Sequence, residues 1–169
     1  MEAMPQLTCL TPLGEVTLTE EDGALVALDW GRGRDQQPTP LLRRAIQQLQ
    51  DYFDGSRASF ELPLAPAGTP FQQRVWQALQ AIPAGEVRSY AQMAQTLGSG
   101  ARAIGQANGS NPIPILIPCH RVVGSGGRLG GYSGGDGPDT KRALLQHESR
   151  MVPVSDLLSP SPPVGIPAR

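Results

Sequence analysis

The 169 residues suffice for one or two small domains with a real core, and 39% of them are apolar. No apolar run approaches the roughly 20 residues of a membrane span, and the start MEAMPQLTCL has no basic region followed by an apolar block; we expect a cytoplasmic protein, neither membrane-embedded nor secreted. The net charge of -1 argues against a polyanion binder only until the chain is divided: residues 1–66 carry five Lys or Arg against ten Asp or Glu, net -5, and residues 67–151 carry eight against four, net +4. A polyanion would meet the second part.

In chain order, EVTLTEEDGALVALDW holds two β-like runs around Asp22-Gly23, a pair that favours a hairpin. From Leu41 the period changes. Leu42, Ala45, Ile46, Leu49, Tyr52 and Phe53 recur at three- and four-residue steps, which predicts one helical face, with Pro40 at its start and Gly55 past its end. Three prolines and a glycine in ELPLAPAGTP, residues 61–70, predict the domain linker. Thr69 and Pro70 then open a second helix with an apolar stripe of Phe71, Val75, Trp76, Leu79 and Ile82, stopped by Pro83.

Ser89 with Gln92 is a capping-box pattern and Gly98 a stop, so SYAQMAQTLG predicts a short helix. After Ser99 and Gly100, ARAIGQAN predicts another, and the pair in a basic segment reads as a helix-turn-helix. Ala101, Ala103, Gly105 and Ala107 leave little side chain on the second helix, with Arg102 its one long projection. NPIPILIP is apolar but cut by prolines, hence a buried irregular segment and no central strand. GSGGRLGGYSGGDGPD holds eight glycines in sixteen residues, with Tyr132 and Ser133 in its middle as contacts for a ligand. DTKRALLQHE predicts a last helix. Residues 152–169, with five prolines and little core material, read as a disordered tail. The expected organisation is a structural domain over 1–66, a binding and catalytic domain over 67–151, and the tail.

Cys119 in IPCHRVVG poses the chemical question. With Cys9 the only other cysteine, free thiols are expected rather than a bridge. A reactive cysteine needs its thiolate stabilised by a base or a positive environment. His120 is adjacent, yet neighbours on an extended chain point to opposite sides, so a bend or a water must connect them. His120 would in turn need an orienting carboxylate, and Glu86, Asp136, Asp139 and Glu148 all remain open. Metal-ligand spacing and a phosphate-binding glycine loop of the Walker type are both missing, so neither a metal nor another cofactor is expected.

IPCHRVVG, preceded by NGSNPIPIL and followed by GGYSGG, resembles the O6-alkylguanine-DNA alkyltransferases, or methylated-DNA–protein-cysteine methyltransferases. TPFQQRVWQALQAIPAGEVRSYAQMA, ARAIG and LLQHE match the same family in the same order. The resemblance implies an α+β fold: a small amino-terminal α/β domain of ribonuclease H type, then a helical domain with a winged helix-turn-helix. It implies a monomer that binds double-stranded DNA in the minor groove, flips out O6-alkylguanine and moves the alkyl group irreversibly to Cys119. It makes His120 the base acting through a water, Glu148 the carboxylate that orients His120, and Tyr90 the proton donor to guanine N3. Arg102 becomes the finger that fills the gap of the flipped base, with Ala101, Ala103 and Gly105 as the groove-facing surface. Val122 would offer its carbonyl and Ser133 its N–H to the base, and Asn111 would brace the active-site turn.

Two departures stand out: the turn between Gly98 and Arg102 is about two residues shorter than usual, and the stretch from Gly135 to Lys141 about two longer. The alternatives are a non-catalytic alkyltransferase-like lesion binder, which has tryptophan at the cysteine position, a thiol hydrolase, and a plain DNA-binding regulator.

Overall fold

The computed structural model describes residues 4–34, 36–129, 135 and 137–151. The predicted tail, 152–169, lies outside them, as do residues 130–134 and 136 of the glycine-rich stretch.

The first part is an antiparallel meander of β1 (Gln6–Thr11), β2 (Gly14–Glu21) and β3 (Ala24–Trp30), crossed by α1 (Pro40–Asp54). Asp22 and Gly23 both have positive φ, 51° and 79°, as the tight β2–β3 hairpin requires. Strand β1 was not expected from sequence; its burial is irregular, and it is specified by pairing to β2. Thr39 caps α1 by accepting from the Leu42 N–H, and Gly55 closes it at φ 85°. The face of α1 that packs inward is Leu42, Ala45, Leu49 and Tyr52, whereas Ile46 and Phe53 are only partly covered.

The proline-rich segment is pinned and does not hang free. Leu25 N–H donates to the Pro63 carbonyl at 2.9 Å and Ala65 N–H to the Leu25 carbonyl at 2.8 Å, and the buried amide of Gln48 bonds the backbone of Glu61. One apolar core runs through both parts of the chain, from Val16 and Leu28 to Ile113 and Leu144. Leu28 N–H also donates across to the Pro112 carbonyl at 2.9 Å.

The second part holds α2 (Pro70–Gln80), β4 (Arg88–Ser89), α3 (Tyr90–Leu97), α4 (Ala101–Gly109), β5 (Val122–Val123) and α5 (Pro138–Ser149). Thr69 with Gln72 and Ser89 with Gln92 form complete capping boxes on α2 and α3. Buried Trp76 donates from Nε1 to the Ala107 carbonyl at 2.9 Å, fixing α4 on α2. Its ring lies where a Cβ on residue 68 would be, 2.5 Å from that position, so only glycine fits there. α3 and α4 make the expected helix-turn-helix, joined by Gly98, Ser99 and Gly100. NPIPILIP is the buried, irregular segment anticipated, and β4 pairs in parallel with β5 just beyond it.

Candidate active site

Cys119, His120 and Arg121 form a single 3-10 turn, not an extended strand, and all three are buried. Successive residues of such a turn are about a third of a revolution apart, so Cys119 and His120 diverge although the chain bends. Asn111 shapes the approach. Its Oδ1 accepts from the Ile113 N–H at 3.0 Å and its Nδ2 donates to the Ile117 carbonyl at 2.7 Å. Between these anchors Ile115 takes φ 73°, a left-handed conformation rare for a β-branched residue. Asn108, on α4, donates from Nδ2 to the Cys119 carbonyl at 3.1 Å. This bond ties α4 to the turn that carries Cys119.

Glu148, on α5, is fully buried and pairs with His120 Nε2 at 2.7 Å. Of the acids open from sequence that are among the described residues, Glu86, Asp139 and Glu148, this is the one the fold brings to His120. Arg121 grips the same carboxylate twice, from Nε to Oε1 at 2.9 Å and from Nη2 to Oε2 at 2.8 Å, while Nη1 donates to the Ile82 carbonyl at 2.5 Å. Tyr52, from α1, donates its hydroxyl to Glu148 Oε2 at 2.6 Å. Burial pushes the Glu148 carboxyl up, but His120 and Arg121 overturn that and hold it well below the usual carboxylate range. Glu148 is therefore a carboxylate and accepts only, so the proton in the pair sits on His120 Nε2. Nδ1, which bonds no atom among the described residues, is left as the acceptor.

The Cys119 thiol is pushed above its ordinary range by burial, opposed by the Asn111 amide and the positive charge of Lys141. Lys141 is fully buried on α5. Burial lowers it to about 8, against the upward pull of the Cys119 charge. Its Nζ lies 5.8 Å from the Tyr90 ring centroid. Tyr90 is itself held above the usual phenol range, chiefly by burial, against the effect of the Asn108 amide. It keeps its proton at neutral pH.

Tyr90 also faces an open cavity of about 580 Å3, walled by Ala101, Arg102, Gly105 and Gln106 of α4 and by Gly124 and Arg128. Gly105 lies beside the tyrosine ring; a Cβ there would touch Tyr90 Cε1 at 3.9 Å, an ordinary van der Waals contact. The short turn still delivers Arg102 to this cavity. Ala103 lies round the helix, half-buried and outside the lining, because residues are about 100° apart on an α-helix. Val122 is buried in β5 next to the turn. Tyr132 and Ser133 lie outside the described residues.

Arg121, Lys141, Asn108 and Tyr52 were not singled out from sequence. Arg121 stood in the quoted motif; Lys141 lies two helical turns before Glu148, and the spacing of that pair on one face of α5 was the available signal. Nothing local marked Tyr52.

Two family models cover most of the chain. Residues 8–66 match the ribonuclease-like domain of 6-O-methylguanine DNA methyltransferase, and residues 70–150 match its DNA-binding domain. The constitutive methylated-DNA–protein-cysteine methyltransferase of Bacillus subtilis is 49% identical over 140 residues, 75% of this chain and 85% of that one. The corresponding protein of Methanosarcina barkeri is 43% identical over 148 residues, 82% of this chain and 92% of that one. The crystal structure of Mycobacterium tuberculosis OGT in complex with DNA matches with a TM-score of 0.78 at 43% identity, covering 88% of this chain and 94% of that one. Fold and site together define a two-domain protein whose second domain is of a DNA-binding type. The chain belongs to the methylated-DNA–protein-cysteine methyltransferase family.

Proposed function

We propose that the protein repairs DNA by direct reversal, taking the alkyl group from O6 of an alkylated guanine in duplex DNA onto Cys119. The observation that carries this is the union of three features in one basic domain: a buried thiol beside Lys141, a locked His120–Glu148 pair, and a cavity shared by Tyr90 and Arg102. The cavity volume of about 580 Å3 is that of a small-molecule site, for which roughly 300–1,000 Å3 is usual.

In the reaction His120 Nδ1 receives the Cys119 proton, directly or through a water, while Glu148 holds Nε2–H and stabilises the imidazolium. Lys141 and the Asn111 amide stabilise the thiolate as it forms. Sulfur attacks the alkyl carbon, the S–C bond forms as the C–O6 bond breaks, and the electron pair enters the purine. Tyr90 gives its hydroxyl proton to guanine N3 and is reprotonated at the expense of the imidazolium. In sum the thiol proton ends on guanine and the alkyl group on sulfur. No cofactor or metal enters this balance. A thioether does not revert, so each molecule acts once.

The flipped base would occupy the cavity, Arg102 would fill the space it leaves, and Val122 and Ser133 would hold it through backbone groups, with Tyr132 beside it. The small surface of Ala101 and Gly105 suits close approach of α4 to the minor groove. Every residue of the mechanism belongs to one chain, so a monomer suffices. No helix among the described residues is long and apolar enough to cross a membrane.

The test is stoichiometry. Duplex DNA carrying one methyl-labelled O6-methylguanine is titrated with protein, and label on protein is counted. Uptake should stop at one equivalent. Tight binding with no transferred label would instead identify a lesion-binding protein.

A further inference from the structure

The mechanism above uses no residue of the first 66, yet one side chain from that part reaches its centre. Tyr52 sits in the last turn of α1, fully buried. Its hydroxyl donates to Glu148 Oε2 at 2.6 Å, across 96 residues of sequence. The same oxygen takes His120 Nε2 at 2.7 Å and Arg121 Nη2 at 2.8 Å. The tyrosine is held at its other end too: His147 Nε2 lies 2.6 Å from the Tyr52 carbonyl and donates to it. Its ring packs on Phe53, Phe60 and His147 at 4.9, 5.3 and 5.0 Å between centroids. Adjacent residues of α5 therefore clasp Tyr52 by backbone and by side chain.

Arg121 already anchors and neutralises the carboxylate through two parallel bonds. The phenol is thus not needed to keep Glu148 ionised. What it adds is a third donor on the one oxygen that His120 uses, and donors on one oxygen compete for its charge. We propose that Tyr52 is a positioning residue for alkyl transfer: from the amino-terminal domain it holds Glu148 and limits how strongly that carboxylate draws on the His120 ring. The inference rests on the function proposed above. With the phenol present, Oε2 divides its charge among three donors. Without it, Oε2 concentrates that charge on His120 and Arg121 and stabilises the imidazolium more, so acceptance of the Cys119 proton is suppressed further up the acid side. Among the described residues, Arg121 from the turn and Tyr52 from α1 bond the carboxylate of this pair, His147 of α5 packs on Tyr52, and Cys119 with its neighbours Lys141 of α5 and Tyr90 of α3 lies on the proton-donating side; only Tyr52 is altered in the test.

Tyr52→Phe in the full chain keeps the ring and its packing and removes the hydroxyl. Rates of methyl uptake from a duplex lesion and from free O6-methylguanine are followed against pH, with affinity for unmodified duplex and Tm alongside. The acid limb of the rate profile should move to higher pH for both substrates. The rate on the acid side should fall about tenfold, the scale of losing a supporting partner of a reacting histidine. The alkaline plateau and the duplex affinity should stay within about twofold. Site-specific 3-fluorotyrosine at position 52, a stronger donor, should move the limb the opposite way, and serves where the phenylalanine variant folds poorly. Limbs that coincide with wild type, with or without a lower Tm, overturn the inference and leave Tyr52 a packing residue. If wild-type protein takes no methyl from either substrate, the proposed function fails instead, and the limb is read from iodoacetamide alkylation of Cys119 with the same two outcomes.

Discussion

Cys119 is not activated by its own surroundings alone. Burial favours the thiol, and the Asn111 amide and Lys141 offset that only in part, so the proton must be taken by a base. That division of labour makes each neighbour testable. Lys141→Met should slow alkyl transfer by about tenfold or more, since one tenfold step corresponds to roughly 1.4 kcal/mol of lost thiolate stabilisation. The same substitution has a signature in stability. Lys141 titrates at about 8 when folded, against 10.5 for an ordinary lysine. Between those values the unfolded chain binds the extra proton, so the stability of wild type relative to the variant should rise with pH there. Glu148 gives a slope of the same sign at the acid end. Its folded carboxyl lies far below the ordinary 4.5, so its contribution is present above that value and is lost as pH falls through the acid range. Glu148→Gln should flatten this acid-side slope in urea melts and remove transfer. It should also destabilise the neutral protein by about 3–5 kcal/mol, because Arg121 is left buried without its counter-charge.

At the scale of elements, α4 does two jobs. Asn108 on its buried side holds the Cys119 carbonyl, and Arg102 on its exposed side borders the cavity. Arg102→Ala should therefore slow repair of duplex DNA much more than reaction with free O6-methylguanine; equal slowing would remove the finger role. The helices were legible in the sequence because their signals are local: Thr69-Pro70 and Ser89 with Gln92 are caps that need no partner elsewhere. The ends of α1 were legible for the same reason. Strand β1 was not, since its place depends on pairing with β2. Within the site, Cys119 and His120 stood in a specific motif, and their divergence was expected from an extended chain; it arises instead from a 3-10 turn. The residues that surround them came from far away in sequence. Tyr52 looked like one more apolar position on a helical face, and its periodicity carried no hint of a hydroxyl partner 96 residues on. The two loop-length departures left the core geometry in place: Glu148 meets His120, and Arg102 reaches the Tyr90 cavity.

At the scale of the molecule, the chain splits into an acidic part of net -5 and a basic part of net +4, and the proposed DNA contact belongs wholly to the second. Affinity for duplex should fall steeply with salt and vary little with sequence, as backbone-dominated binding does; a titration from low to physiological salt on two unrelated duplexes checks both. One core joins the two parts and α1 reaches the Glu148 carboxylate, so the acidic part touches the site through packing and through Tyr52. The chain has two cysteines, both buried and free, and only one stands beside a base. The most direct measurement is peptide mass spectrometry after incubation with a duplex that holds a single O6-methylguanine. One added methyl group on the peptide containing Cys119, none on that containing Cys9, and a restored guanine in the DNA are the expected result. An unmodified Cys119 with the lesion intact would contradict it.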